Sequence, residues 1–382
     1  MKLYRLILCI IFLLALTINN AYALENEEFI KEQEDALGIT NLIKESEGYT
    51  SNVYEDINLT DVLEDAISGK VNNNKILKNI LRIFGKELTK AITVMASIIV
   101  IIIVNSILNC VTDGLENKGV AQIAYYVQFI LIVTVILENF SELISSITDA
   151  INSMVSFTNI LIPVMIALII TTGSITTATI IQPILVFMTS LIGNFINKIA
   201  IPIVLVSTVL GIVSKISDRA QVERLAKRLK SSTVWIIGII LTLFVTAVSV
   251  DGNLGSSVDA VTSKTAKAAV SNLVPVVGKI LGDAVDSVIG CGNILKNAVG
   301  LIGVIVIVAI AIIPIIKLLL LMAVYYITAA VCEPIADSKI VKLLDQMGDT
   351  FKILLAFVCS MAVMIIIGTT LIIKISNVSG MT

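Results

Sequence analysis

The residues able to do chemistry are few, and their types exclude more than they permit. Histidine is absent from the 382 residues, which removes the commonest general base and metal ligand. With it go the Ser-His and Cys-His nucleophile arrangements and the H-E-x-x-H zinc site. No G-x-x-x-x-G-K-[ST] phosphate loop occurs. The nearest fragment, Gly278-Lys279-Ile280, lacks the upstream glycine and the hydroxyl. The cysteines, Cys9, Cys110, Cys291, Cys332 and Cys359, form no C-x-x-C pair and read as small packed hydrophobes. Paired carboxylates lie on polar stretches, where solvation accounts for them. The chain therefore reads as a non-enzyme with no metal or cofactor assigned.

What remains is charge and small residues set among apolar sequence. Lys317 is the ionised group deep in an apolar run, a functional candidate by default. At the tip of a hairpin it would instead be an ordinary interfacial anchor. Gly278 and Gly282 form G-x-x-x-G, and Asp283 and Asp286 share a helix face at i, i+3. These positions suit a conduit lining or a docking element, and equally the close packing of an amphipathic connector. In 215–232, Arg219, Arg224, Lys227 and Arg228 surround an apolar side made by Ile216, Ala220, Leu225 and Leu229. Such a segment lies on anionic lipid or docks a cytoplasmic partner. Asn105, Gln128 and Gln182 sit within apolar runs and are suited to interhelical hydrogen bonds.

The elements that must position these residues are membrane spans. Hydrophobic residues make up 57% of the chain and charged residues 15%, with a mean hydropathy of +0.97. Soluble domains are about a quarter charged. The net charge of −2 gives no basic excess for nucleic acid. Apolar runs occur at about 91–110, 120–138, 159–173, 175–197, 199–214, 233–250, 299–333 and 352–373. The fold class is all-α, a polytopic integral membrane protein with about seven to nine transmembrane helices plus amphipathic or re-entrant helices. Pro163, Pro183, Pro202 and Pro314 are expected to bend their helices.

Residues 1–23 read as a signal peptide: Lys2 and Arg5, an apolar stretch from Leu6 to Ile18, then Ala21-Tyr22-Ala23. Residues 24–90 form a polar, helical extracytoplasmic segment, with Thr60 as a helix N-cap and Gly69 as its stop. This segment is a small helical cap or a partner-binding arm. A first membrane region covers 91–250 with the basic loop 215–232, a small-residue-rich segment covers 251–298, and a C-terminal membrane region covers 299–382. Alternate crossing puts 139–158, with Glu142 and Asp149 but no Lys or Arg, outside and 215–232 inside, as the positive-inside rule asks. The side of the C-terminus depends on whether 299–333 crosses once or twice.

The run Ser256-Ser257-Val258-Asp259-Ala260-Val261-Thr262 with Thr265-Ala266-Lys267 resembles a signature region of the stage III sporulation protein AE family. The likeness continues through Asn272-Leu273-Val274-Pro275-Val276-Val277-Gly278, Asp283-Ala284-Val285-Asp286 and Leu295-Lys296-Asn297-Ala298-Val299-Gly300. That resemblance implies a role in endospore formation, as the large multispan subunit of a channel-like, secretion-type complex between mother cell and forespore. It places the chain in the mother-cell membrane that surrounds the forespore. The implied partners are other stage III proteins, among them ring-forming subunits and a separate ATPase. Within that complex the subunit is a conduit or export gate. A stand-alone secondary transporter and a pure scaffold are the alternatives.

Overall fold

The computed structural model describes residues 36–51, 53, 59–67, 73–112, 118–216, 222–273 and 277–378. Helices account for these residues almost entirely. In chain order they are α1 (Ile39–Thr50), α2 (Leu59–Ile67), α3 (Asn73–Thr112), α4 (Lys118–Thr171), α5 (Ile175–Phe195), α6 (Ile201–Ile216), α7 (Glu223–Leu273), α8 (Val277–Cys332) and α9 (Ser338–Val378). A single π turn, Ile196–Ala200, joins α5 to α6 without a break. Pro202 follows it after one residue, Ile201; proline lacks an N–H and clashes with the carbonyl four residues back, and the wider turn accommodates both.

The long helices run side by side in alternating directions. A Cβ placed at Gly303 of α8 would meet Leu161 of α4 at 2.7 Å, and one at Gly292 would meet Thr171 at 2.8 Å. Residue numbers thus rise on one helix as they fall on the other, so α8 and α4 are antiparallel. Asn197 donates to Asn152 at 2.7 Å, and the Tyr125 hydroxyl donates to the Lys215 carbonyl at 3.2 Å. These contacts keep α4 antiparallel to the α5–α6 rod along its length. Ring contacts of Phe351 with Phe140 and Tyr325 fix α9 against α4 and α8. A buried layer of Ile, Leu, Val, Met and Phe from α3 to α9 fills the middle.

The turn from α4 to α5 is tight. Gly173 has φ +83, and its N–H reaches the Ile170 carbonyl at 3.0 Å while that of Ser174 reaches Ile169 at 3.2 Å. This is a Schellman stop, and it needs a residue without Cβ strain at the left-handed position.

Among the described residues, six helical stretches are long and apolar enough to cross a membrane: Leu77–Ile107, Tyr125–Thr171, Ile175–Lys215, Glu223–Ser249, Val288–Cys332 and Ser338–Lys374. The all-α polytopic class holds, and the number of crossings is set by helix continuity. The runs at 120–138 and 159–173 belong to one helix, α4, so 139–158 is not a loop. Likewise 175–197 and 199–214 form one rod. Polar faces on continuous helices break the apolar pattern in a way that mimics loops. The run at 299–333 falls, up to Cys332, within the one unbroken helix α8, with Pro314 inside it and no hairpin turn.

Two further boundaries move. The basic stretch from Glu223 opens α7 rather than forming a separate interfacial helix, and 251–298 supplies the end of α7 and the start of α8. In the polar N-terminal segment, α1 and α2 dock on the bundle as a cap. Ile39, Leu42, Leu59 and Leu63 are buried, and Tyr49 packs edge-on to Phe157 of α4 at 6.0 Å. Thr60 lies inside α2, which begins at Leu59. Residues 1–35, which include the signal-peptide reading, Arg219 and Gly69 lie outside the described residues.

Candidate functional site

The signature segment supplies two buried ionisable side chains at one end of the bundle. Asp259, on α7, is 3% exposed. Its two carboxylate oxygens accept the backbone N–H groups of Thr176 and Thr177, each at 2.9 Å. Those amides open α5 and have no partner within their own helix, and Ser174 makes no side-chain cap there. Asp259 therefore caps a helix from 82 residues away. Negative charge at a helix N-terminus is also favoured by the helix dipole. Burial opposes its ionisation, yet the hydrogen bonds from Thr177 and Thr176 outweigh burial and hold the carboxyl below its ordinary value.

Lys296 is the second, at 0% exposure on α8, with its ammonium 3.1 Å from the Asn293 side-chain oxygen. One turn earlier, Gly292 lies against Thr171 and Thr172 at the end of α4. Further along α8, Gly300 admits the side chain of Ile373 from α9. Small residues in the motif therefore let α4, α8 and α9 close around a buried lysine. Sequence reading stops short of Lys296 because it lies just before the apolar run. Only the packing of α4 and α9 shows that it is enclosed.

Lys317 lies further along α8, towards its C-terminal end. It pairs with Glu142 of α4 at 3.2 Å, with side-chain exposures of 18% and 75%. Asn139, Glu87 and Lys90 line the same recess between α3, α4 and α8. Glu87 and Lys90 form their own pair at 3.1 Å. The structure does not bring Lys317 to the signature residues. Gly278, Gly282, Asp283 and Asp286 lie in the first three turns of α8, about 46–58 Å along that helix from Lys317 at 1.5 Å per residue. Their side-chain surroundings lie outside the described residues.

The opposite end of the bundle is basic. Arg224, Lys227 and Arg228 are exposed on the first turns of α7. Glu223 joins Lys215 at 2.8 Å and Lys227 at 2.9 Å. Lys230 is buried and donates to the Thr350 hydroxyl of α9 at 2.6 Å. Arg219 lies outside the described residues. Gln128 is buried without a hydrogen-bond partner for either amide atom. The pairing expected of it is not made among the described residues.

Among known sequences, the family described as Stage III sporulation protein AE matches residues 57–376. The chain belongs to that family. The stage III sporulation protein AE of Bacillus subtilis (strain 168) is 30% identical over 287 residues, covering 75% of this chain and 72% of the relative. No solved structure matches. Family membership and six membrane-length helices together make this a multi-pass sporulation protein. The match includes Asp259, Lys296 and Lys317 within one continuous stretch.

Proposed function

We propose that this chain is the non-enzymatic, multi-pass subunit of a complex joining mother cell and engulfed forespore, serving there as conduit or export gate. Its membrane is the mother-cell membrane around the forespore. Family membership is the observation that carries this reading. The bundle adds physical support, since the Asp259 cap and the Lys230–Thr350 bond tie together helices far apart in sequence. The sequence has neither histidine nor a phosphate-binding loop, so a separate ATPase is the natural source of energy.

The orientation follows from charge. The helix ends at Thr112, Lys118, Ile216, Glu223, Cys332 and Ser338 share one end of the bundle, next to exposed Arg224, Lys227 and Arg228. The positive-inside rule assigns that end to the cytoplasm, where an ATPase would dock. The signature end, with Asp259 and Lys296, then faces the space between the two membranes and the ring-forming partners.

Reporter fusions in the 217–222 and 333–337 connections should read cytoplasmic, and a fusion after Val378 external. An external reading at 217–222 overturns the orientation. Affinity purification from sporulating membranes should recover an ATPase and ring-forming companions. Isolation of the chain alone, with solute flux in liposomes, would instead establish a stand-alone transporter.

A further inference from the structure

The exposed face of α4 changes character along a single unbroken helix. From Ile123 to Leu137 it presents Ile123, Tyr126, Val127, Ile130 and Leu131. From 138 to 159 every exposed residue is polar, including Glu138, Glu142, Ser145, Asp149, Asn152 and Asn159. Their spacing of three and four keeps them on one side. At 1.5 Å per residue this polar face is about 32 Å long, close to the ~30 Å thickness of a hydrocarbon core. It continues sideways onto the neighbouring rod, where Asn197 bonds to Asn152 at 2.7 Å and Asn194 and Lys198 are exposed.

At the same height the far side of the bundle is apolar. Thr158 of α4 and Phe244 of α7 line one cavity, and both helices run antiparallel to the α5–α6 rod and so parallel to each other. Nine residues before Phe244, Trp235 of α7 is therefore level with the polar stretch of α4. Trp235 is 70% exposed and is flanked by exposed Val234, Ile236 and Ile239. The exposed Thr242 and Thr246 hydroxyls bond back to carbonyls of their own helix, each at 2.8 Å, which suits them to lipid. One height thus shows lipid-compatible surface on α7 and carboxylates on α4. Exposed carboxylates at bilayer depth face water or protein, not acyl chains.

We propose that the α4 face from Glu138 to Asn159 lines a water-filled path through the membrane, enclosed by further copies of this chain set with α4 inward. This rests on the conduit reading and names its wall. One bundle carries the face on its outside and cannot enclose a lumen alone. Copies related by an axis along the helices bring the same α4 residues to the same height, while each α7 keeps its apolar side to lipid. Repeated carboxylates are tolerated because they stay hydrated. Lys317, paired with Glu142, then stands at the edge of the lumen beside α3.

The test compares two sides at one depth, in native membranes from sporulating cells and in bilayers holding the purified complex. Trp235 is the only tryptophan of the chain, so the emission lost in Trp235→Phe is its own and reports its surroundings. Lipids brominated deep in the acyl chain should quench it. In a background without native cysteines, Ser145→Cys and Ser156→Cys should react with a membrane-impermeant maleimide. Their rates should be at least about tenfold above that of Leu243→Cys, since thiolates form only where water reaches. A bis-maleimide should join two Ser145→Cys chains.

Quenching with both α4 cysteines no faster than Leu243→Cys overturns the proposal, because the face is then covered by protein. Absence of quenching also overturns it, because this height then lies outside the hydrocarbon. Labelling that yields monomers alone refutes enclosure by copies. A chain that co-purifies with its companions but fails these tests loses the lumen and keeps its place in the complex.

Discussion

Replacing Asp259 by alanine strips the start of α5 of both its tertiary hydrogen bonds. Two backbone amides, at Thr176 and Thr177, lose acceptors at 2.9 Å. Bonds to a charged group are worth about 1.5–3 kcal/mol each, while loss of an N-cap typically costs about 1 kcal/mol in total. Water entering the helix end recovers part of the loss. The site is buried, so recovery is partial, and about 2–3 kcal/mol is the expected destabilisation. Asp259→Asn keeps one acceptor oxygen without the charge and should lose about half as much.

The sign of the pH effect follows from the direction of the shift. Hydrogen bonding holds the folded carboxyl below its unfolded value. Its contribution is therefore complete above the ordinary value of about 4 and fades as pH falls through the folded value. Unfolding by denaturant titration in mixed micelles, repeated across the acid range, measures both effects. Wild type should lose more stability on acidification than Asp259→Ala. An alanine variant within about 0.5 kcal/mol of wild type at neutral pH, with the same acid response, would refute the capping role.

Two further substitutions probe the packing. Thr350→Val removes the hydroxyl that Lys230 reaches at 2.6 Å and leaves a buried ammonium short of an acceptor; a loss of about 1–3 kcal/mol is expected, with Lys230→Met partly restoring stability in the double variant. At Gly348 a Cβ would meet the Tyr326 ring at 2.8 Å, and that ring's hydroxyl donates to Asp349 at 2.7 Å. Gly348→Val should accordingly destabilise the α8–α9 hairpin by about 1–3 kcal/mol, seen as faster protease cleavage between Cys332 and Ser338.

The sequence by itself determined the class of solvent and the family. Uncharged runs of Ile, Val and Leu demand hydrocarbon and helices whichever way they later pack, and the signature from Ser256 to Gly300 is legible letter by letter. The absence of histidine settled, without coordinates, which catalytic arrangements were unavailable. Only the tertiary structure decided how many rods these runs make. A polar stretch such as 139–158 has the same composition whether it is a loop or one face of a helix, and helical continuity separates the two. Tertiary structure also decided which charges are enclosed. Lys296 adjoins an apolar run in sequence, yet packing from α4 and α9 buries it. Asp259 caps a helix whose start lies 82 residues away. Burial and capping at such range depend on which helices become neighbours, and local spacing carries no record of that choice.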